Sequence, residues 1–167
     1  MTIISLKDFI LTGQFGQIRL GSSKDTIIKY LGKPNNDCDF GSGLSGLNYL
    51  GFEFFYWTES QKLSAIQNDS LGFLFNNASN STIFKLNKKV GIDFSIFSNA
   101  QNLTFKNLTE YLKKEHFKFT ENENAEHFYT ELRFENGVTF DFENWQDDLK
   151  IDRNYLKLNG IRYGVSD

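Results

Sequence analysis

Apolar positions recur along this chain in two rhythms, one helical and one alternating. Leu6, Phe9 and Ile10 fall at helical spacing over residues 5–12, and Gly13 ends the run, which predicts a short helix. Phe15 to Leu20 reads as a brief extended piece leading into Gly21. A second helical stripe is Ile27, Ile28 and Leu31, with Lys24, Lys29 and Lys33 turned away from it. Its punctuation is complete. Ser22 or Ser23 serves as N-cap, Ser22 with Asp25 makes a capping-box-like pair, Gly32 suits a left-handed C-cap, and Pro34 stops the helix. A third helix spans about Thr104 to Glu115, with Leu108, Tyr111 and Leu112 on one face.

The alternating rhythm predicts strands over 52–57 and 62–67 as antiparallel neighbours, and over 82–86 and 90–97. Asn35 to Gly46 reads as a loop rich in Asn, Asp, Gly and Ser, and Asn76 to Ser81 as a polar break. The clearest hairpin joins 128–134 to 138–143 through Glu135-Asn136-Gly137. A three-residue loop with Gly137 at a bulge pairs Phe134 with Val138 and Leu132 with Phe140, which puts the apolar side chains together. Residues 149–158 and 161–165 close the chain as further strands or edge segments.

These elements repeat. A shift of 81 pairs Ser23 with Thr104, Ile27 with Leu108, Tyr30 with Tyr111 and Leu31 with Leu112. A shift of 86 pairs Gly51 with Gly137, Phe54 with Phe140, Leu63 with Leu149 and Ala65 with Ile151. Two nearly constant offsets in the same order predict an internal duplication. The expected fold class is α+β: two related helix-plus-antiparallel-strands units, 1–80 and 81–167, forming one sheet with helices on one face of a single compact domain.

Composition adds rings and a charge asymmetry. Among 167 residues there are 18 Phe against one Met, one Pro and one Cys, so the core is built from rings as well as aliphatics. Net charge is −3, but residues 121–152 hold ten acids against two bases, while the remainder holds 11 acids and 16 bases. The lone Cys38 has no partner for an internal disulfide. The first ten residues lack a signal-peptide core, and no apolar stretch reaches membrane-spanning length, so the expected location is a reducing cytoplasm.

The pattern Gly-x-Ser-x-x-x-x-Ile-x-x-Leu-Gly-x-Pro over Gly21 to Pro34 resembles the helix signature of small outer-membrane-assembly lipoproteins and of the related β-lactamase-inhibitor-protein-like fold. In the latter, tandem helix-plus-strands units form one sheet whose concave face grips a partner enzyme. The chain departs from the lipoproteins in placing its only cysteine beyond the helix, and its second helix ends in Lys113-Lys114-Glu115 where Gly-x-Pro stands in the first. In size, acidic patch and expected fold it is also similar in type to bacterial immunity proteins that neutralise polymorphic or contact-dependent toxins.

Chemistry-bearing patterns are sparse. His116 and His127 stand eleven residues apart, outside any metal-ligand spacing, and Cys38 has no nucleophile partner in sequence. Gly41-x-Gly43-x-x-Gly46 mimics a dinucleotide fingerprint but does not lie between a strand and a helix. The acid pairs Asp141 with Glu143 and Asp147 with Asp148 read as a solvated strand face with no reason for shifted pKa values. No catalytic residue, metal ligand or cofactor is expected.

What remains is surface. If Phe52, Phe54 and Tyr56 face the core, then Glu53, Phe55 and Trp57 face outward, and their counterparts in the second unit are Thr139, Asp141 and Glu143. Rings as desolvated anchors beside carboxylates for steering make a protein-protein interface. The expected function is an immunity or inhibitor protein that occludes a cognate toxin with a basic surface, such as a nuclease. Phe55 and Trp57 would anchor, and Tyr129, Glu131, Asp141, Glu143, Asp147 and Asp148 would meet basic residues. No nucleic-acid or membrane partner is expected. The alternatives are a small enzyme with a sheet-lined pocket and a structural homo-oligomer.

Overall fold

The computed structural model of the chain describes residues 1–77, 82–98, 101–124, 129–143 and 151–164. It begins with a strand, β1 (Thr2–Ser5), that runs directly into helix α1 (Leu6–Thr12). Ser5 accepts the Asp8 amide as N-cap, and Gly13 closes the helix at φ 70°, where a β-carbon is disfavoured. Residues 15–20 are not extended; Phe15 and Ile18 bond to each other across a tight turn.

Helix α2 (Lys24–Leu31) starts one residue later than the Ser22 cap allows. Ser23 accepts the Thr26 amide, while the Ser22 hydroxyl turns back to the Arg19 amide, so the capping pair is Ser23 with Thr26 and not Ser22 with Asp25. Gly32 does have positive φ, 90°, but with ψ −166° it leaves the helix in an extended direction, outside the left-handed helical region.

The stretch read as a loop over 35–46 instead contains β2 (Asn36–Gly41) and the start of β3 (Leu44–Tyr49). Two tertiary contacts fix it. The Tyr56 hydroxyl donates to Asp37 at 3.0 Å, and Lys24 Nζ stands 2.7 Å from the other Asp37 oxygen. Lys24 holds the Asp37 carboxyl below its ordinary pKa, and Asp37 raises that of Lys24. Then come β4 (Phe52–Trp57), β5 (Lys62–Asn68) and helix α3 (Leu71–Asn77). The polar break expected from Asn76 is therefore partly helix, and its residues 78–81 lie outside the described ones.

The second half opens with β6 (Ile83–Lys85) and β7 (Val90–Asp93); the strand expected to reach Phe97 stops at Asp93, whose carboxylate accepts the Ser95 amide at 2.8 Å just before a 3-10 turn, Ser95–Phe97. Helix α4 (Phe105–Lys114) follows, capped by Thr104 through the Asn107 amide. After it come β8 (Phe119–Asn124), β9 (Tyr129–Phe134), β10 (Thr139–Glu143) and β11 (Lys157–Gly164). The bulged hairpin register is found, with Phe140 opposite Leu132 and the Phe134 amide donating to the Val138 carbonyl at 2.9 Å. The closing segments differ from expectation: a 3-10 turn, Arg153–Tyr155, precedes one strand from Lys157, and Leu149 lies outside the described residues.

Among the described residues β1, β7 and β6 form a small mixed sheet, and the other eight strands form one antiparallel sheet ordered β2-β3-β4-β5-β11-β10-β9-β8. The chain thus holds both helices and a large antiparallel sheet and is α+β, with strands in the majority. Rings tie all four helices to one side of that sheet. Phe9 of α1 packs on Phe15 and through it on Phe54, Phe75 of α3 on Phe97 and through it on Phe140, and Phe105 of α4 on Phe142. At the end of α2 the Tyr49 hydroxyl donates to the Gly32 carbonyl at 2.8 Å. Among the described residues, thirty-five buried apolar ones, including Ile27, Leu31, Leu108 and Leu112 of the helical stripes, form one core on this side.

Candidate functional site

Directly opposed residues of antiparallel strands share a face, so the register defines the side of the sheet away from the helices. One row runs through Gly46, Phe55 and Ala65, and the next through Leu44, Trp57 and Lys62. Further along, Gln67, Arg162, Thr139, Arg133 and Thr120 make a row, Gly160, Asp141, Glu131 and Asn122 another, and Lys157, Glu143 and Tyr129 a third. The six residues expected outward from the alternation, Glu53, Phe55, Trp57, Thr139, Asp141 and Glu143, lie together on this face. Asp147 and Asp148 lie outside the described residues, as does His127.

The face has an aromatic end and a polar end. At the aromatic end the Phe40 ring lies over Gly46, where an added β-carbon would come within 2.8 Å of it, and tilts against Phe55 with centroids 5.5 Å apart. Phe55 is half-buried as a result. Phe40 and Trp57 remain 55% and 52% exposed, so no described residue covers this end. Phe40 was hidden by the loop reading of its segment. The alternation of Cys38 and Phe40 with Asp37 and Asp39 was the signal for it.

Between the two ends, the central strands β5 and β11 carry Ala65 and Gly164 toward this side, while taller side chains stand on both flanks. The result is a shallow cleft of about 270 Å³ lined by Ala65, Gln67, Tyr129, Glu131, Arg133 and Arg162 among others.

The polar end is not the solvated row of acids that alternation suggested. Asp141 is fully buried (0%), because Tyr129 and Arg162 close over it. The Tyr129 hydroxyl donates to Asp141 Oδ1 at 2.5 Å, and Arg162 Nε stands 2.8 Å from Oδ2, close enough for an ion pair but out of line for a hydrogen bond. Arg162 also reaches Asp69 at 3.3 Å. Glu131 accepts from Asn122 at 3.0 Å and from Arg133 at 3.1 Å, and its other oxygen stands 3.2 Å from the Tyr129 hydroxyl, whose one proton points to Asp141. Away from Asp141, Gln67 donates to Glu53 at 2.9 Å.

This environment shifts pKa values that surface acids would not shift. Burial pushes the Asp141 carboxyl up, against the Tyr129 hydrogen bond and the Arg162 charge, with Glu131 and Asp69 adding to the rise. Burial also raises Glu143, helped by Asp141. Tyr129 is raised by burial and by its bond to Asp141. For Arg162 burial acts downward, yet the surrounding acids, Asp141 first, outweigh it and raise the value.

Chemically, this is a platform on which the Arg133 and Arg162 guanidinium groups are paired within a larger set of carboxylates, Asp69, Glu131, Asp141 and Glu143. Among the described residues no group of three or more His, Cys, Asp or Glu side chains is placed to hold a metal ion, and no helix is long and apolar enough to cross a membrane. His116 sits just past α4 at φ 62°, near the negative end of the helix. Cys38 is exposed on β2, and Gly41, Ser42 and Gly43, all at positive φ, make the β2–β3 turn and no phosphate loop. No family model, curated protein or solved structure matches the chain.

Proposed function

We propose that this chain is an immunity or inhibitor protein of the cytoplasm that occludes a cognate bacterial toxin with the sheet face opposite its helices. The observation that carries the reading is the exposed Phe40 and Trp57 beside half-buried Phe55, on the same open face as an ordered polar network. Exposed rings on a rigid support are what a protein interface uses as anchors, and a preformed polar flank sets register without an ordering cost at the moment of binding. The mechanism is steric, without turnover or cofactor. The toxin's contact surface is basic, as the excess of carboxylates over guanidinium groups around Arg162 suggests.

A duplicated ancestry fits the same picture. Each half places a helix before a four-strand meander, and in each the helix start bridges the last strand: Ser23 with Lys62, and Thr104 with Lys157. The main-chain bonds from Lys24 to Gln61 (3.0 Å) and from Phe105 to Leu156 (2.8 Å) match as well. By this correspondence Leu63 aligns with Leu158 in place of Leu149. The duplicated unit is also what the resemblance of Gly21 to Pro34 implies.

The enzyme alternative is less well supported, since the cleft of about 270 Å³ lies on an open face and falls below the roughly 300–1,000 Å³ usual for small-molecule sites. The deciding experiment is to establish whether a neighbouring gene encodes a secreted protein with a toxic C-terminal domain and to co-express that domain with this chain. Growth rescue together with co-purification is expected. A co-expressed toxin that still kills, with no complex recovered, sinks the reading.

A further inference from the structure

On the open face one guanidinium group serves several carboxylates. Arg162 of β11 stands 2.8 Å from Asp141 on β10 and 3.3 Å from Asp69 after β5. The other groups acting on Asp141 are Tyr129 and Glu131 from β9, with Arg133 beyond Glu131, and Glu143 from its own strand. Asp141 Oδ1 is taken by the Tyr129 hydroxyl, whereas the buried Oδ2 receives no hydrogen bond. Arg162 holds Oδ2 by charge alone and at the same time forms part of the wall of the cleft.

We propose that Arg162 is a pH-operated latch on this cleft, pinned across β10 while Asp141 is ionised and released when Asp141 Oδ2 takes a proton. The proton goes to Oδ2 because Tyr129 already donates to Oδ1, whereas Oδ2 receives no hydrogen bond. Once Asp141 is neutral, the ion pair left to Arg162 among the described residues is the one with Asp69, with Glu143 acting at longer range; both side chains of that pair are 47% exposed, so solvent screens it and the guanidinium is free to leave. The cleft then loses the wall that Arg162 supplied. Burial of Asp141 places this event above the usual aspartate range. The latch lies within the surface proposed above, but it does not depend on any partner.

The test is a pH titration of the isotope-labelled chain by NMR, following the Arg162 Nε–Hε resonance and the side-chain carboxyl carbons of Asp69, Asp141 and Glu143. The expected result is that Arg162 and Asp141 move together, with a midpoint above the ordinary aspartate value of 3.8. Asp141→Asn should show Arg162 released at neutral pH, while Asp69→Asn and Glu143→Gln should keep the titration. Because the unmodified chain carries the main readout, misfolding of a variant does not decide the matter. An Arg162 resonance that stays fixed until the chain unfolds, or that follows Asp69 and not Asp141, overturns the latch.

Discussion

The hydroxyl of Tyr129 donates to Asp141 Oδ1 at 2.5 Å across the β9–β10 pair. Water cannot take its place, because Asp141 is fully buried. A hydrogen bond to a charged group contributes roughly 1.5–3 kcal/mol, and its loss leaves the carboxylate paired only with an out-of-line guanidinium. Tyr129→Phe should therefore lower the unfolding free energy by about 1.5–3 kcal/mol at pH 7, read from urea melts. Combined with Asp141→Asn, the two changes should be less than additive by at least about 0.5 kcal/mol. Full additivity would mean the bond does not form in solution.

Stability against pH separates Asp141 from an ordinary acid. Its folded-state pKa lies above the unfolded value of 3.8, so the folded chain binds its proton more tightly. Between 3.8 and the folded value the native state holds more protons than the unfolded one, and stability falls as pH rises through that window. Asp141→Asn removes this dependence. The stability difference between wild type and Asp141→Asn should thus move in favour of wild type on going from neutral to mildly acidic pH, in thermal melts at matched ionic strength. Asp37 works the other way: its folded-state pKa is lowered, so its contribution is present above 3.8 and is lost as pH falls through the folded value.

Much of the fold was legible because local chemistry wrote it. The α1 and α4 bounds, β4, and the bulged hairpin at Asn136-Gly137 follow from spacing, caps and turn residues, and the structure repeats them to within a residue or two. What was not legible depends on distant partners. The strand β2 has a turn-former's composition, and it is held by Lys24 and Tyr56 from other elements. Helix α3, Leu71–Asn77, is not legible because its Leu-Gly-Phe-Leu-Phe run is short and carries a glycine, even though Asp69 and Ser70 stand before it as cap residues; it packs as a unit against β11. At the site, alternation placed Asp141 on the correct face but not its burial, which comes from Tyr129 and Arg162, twelve and twenty-one positions away.

The same point holds for Gly72, in the first turn of α3. An added β-carbon there would lie 2.2 Å from the Leu158 carbonyl oxygen, a main-chain atom that cannot rotate aside. Helix propensity alone favours alanine over glycine by roughly 1 kcal/mol. The close approach of α3 to β11 outweighs it, and Gly72→Ala should destabilise by about 1–3 kcal/mol or more. A melt showing the variant more stable than wild type would place α3 farther from the sheet.

Asn136 makes a comparable long-range tie. Its Nδ2 donates to the Ile10 carbonyl at 2.8 Å while Oδ1 accepts the Val138 amide at 3.0 Å, so one turn residue both shapes the hairpin and fastens it to α1. Asn136→Asp keeps the acceptor and loses the donor, leaving the Ile10 carbonyl without that bond. A loss of about 1–2 kcal/mol is expected, with faster amide exchange in α1 as the local signature.

The aromatic end decides how a partner is held. Phe40 covers Gly46 and braces Phe55, so truncating it removes both an exposed ring and the support of its neighbour. Trp57 stands half out of the surface and contributes little to the core, which makes it a probe of binding with little effect on folding. An anchor ring is worth at least about 2 kcal/mol, close to a thirtyfold change in affinity. Trp57→Ala and Phe40→Ala should each weaken the toxin complex by that factor or more, chiefly through faster dissociation, with the Trp57→Ala melting temperature close to wild type. Glu131→Gln should act mainly on association rate and its salt dependence, because it removes one carboxylate from the acidic end while keeping an acceptor oxygen for Arg133 and Asn122. Binding kinetics at two salt concentrations separate the two behaviours. If Trp57→Ala dissociates no faster than wild type, the rings are not the anchor and the partner sits elsewhere on the molecule.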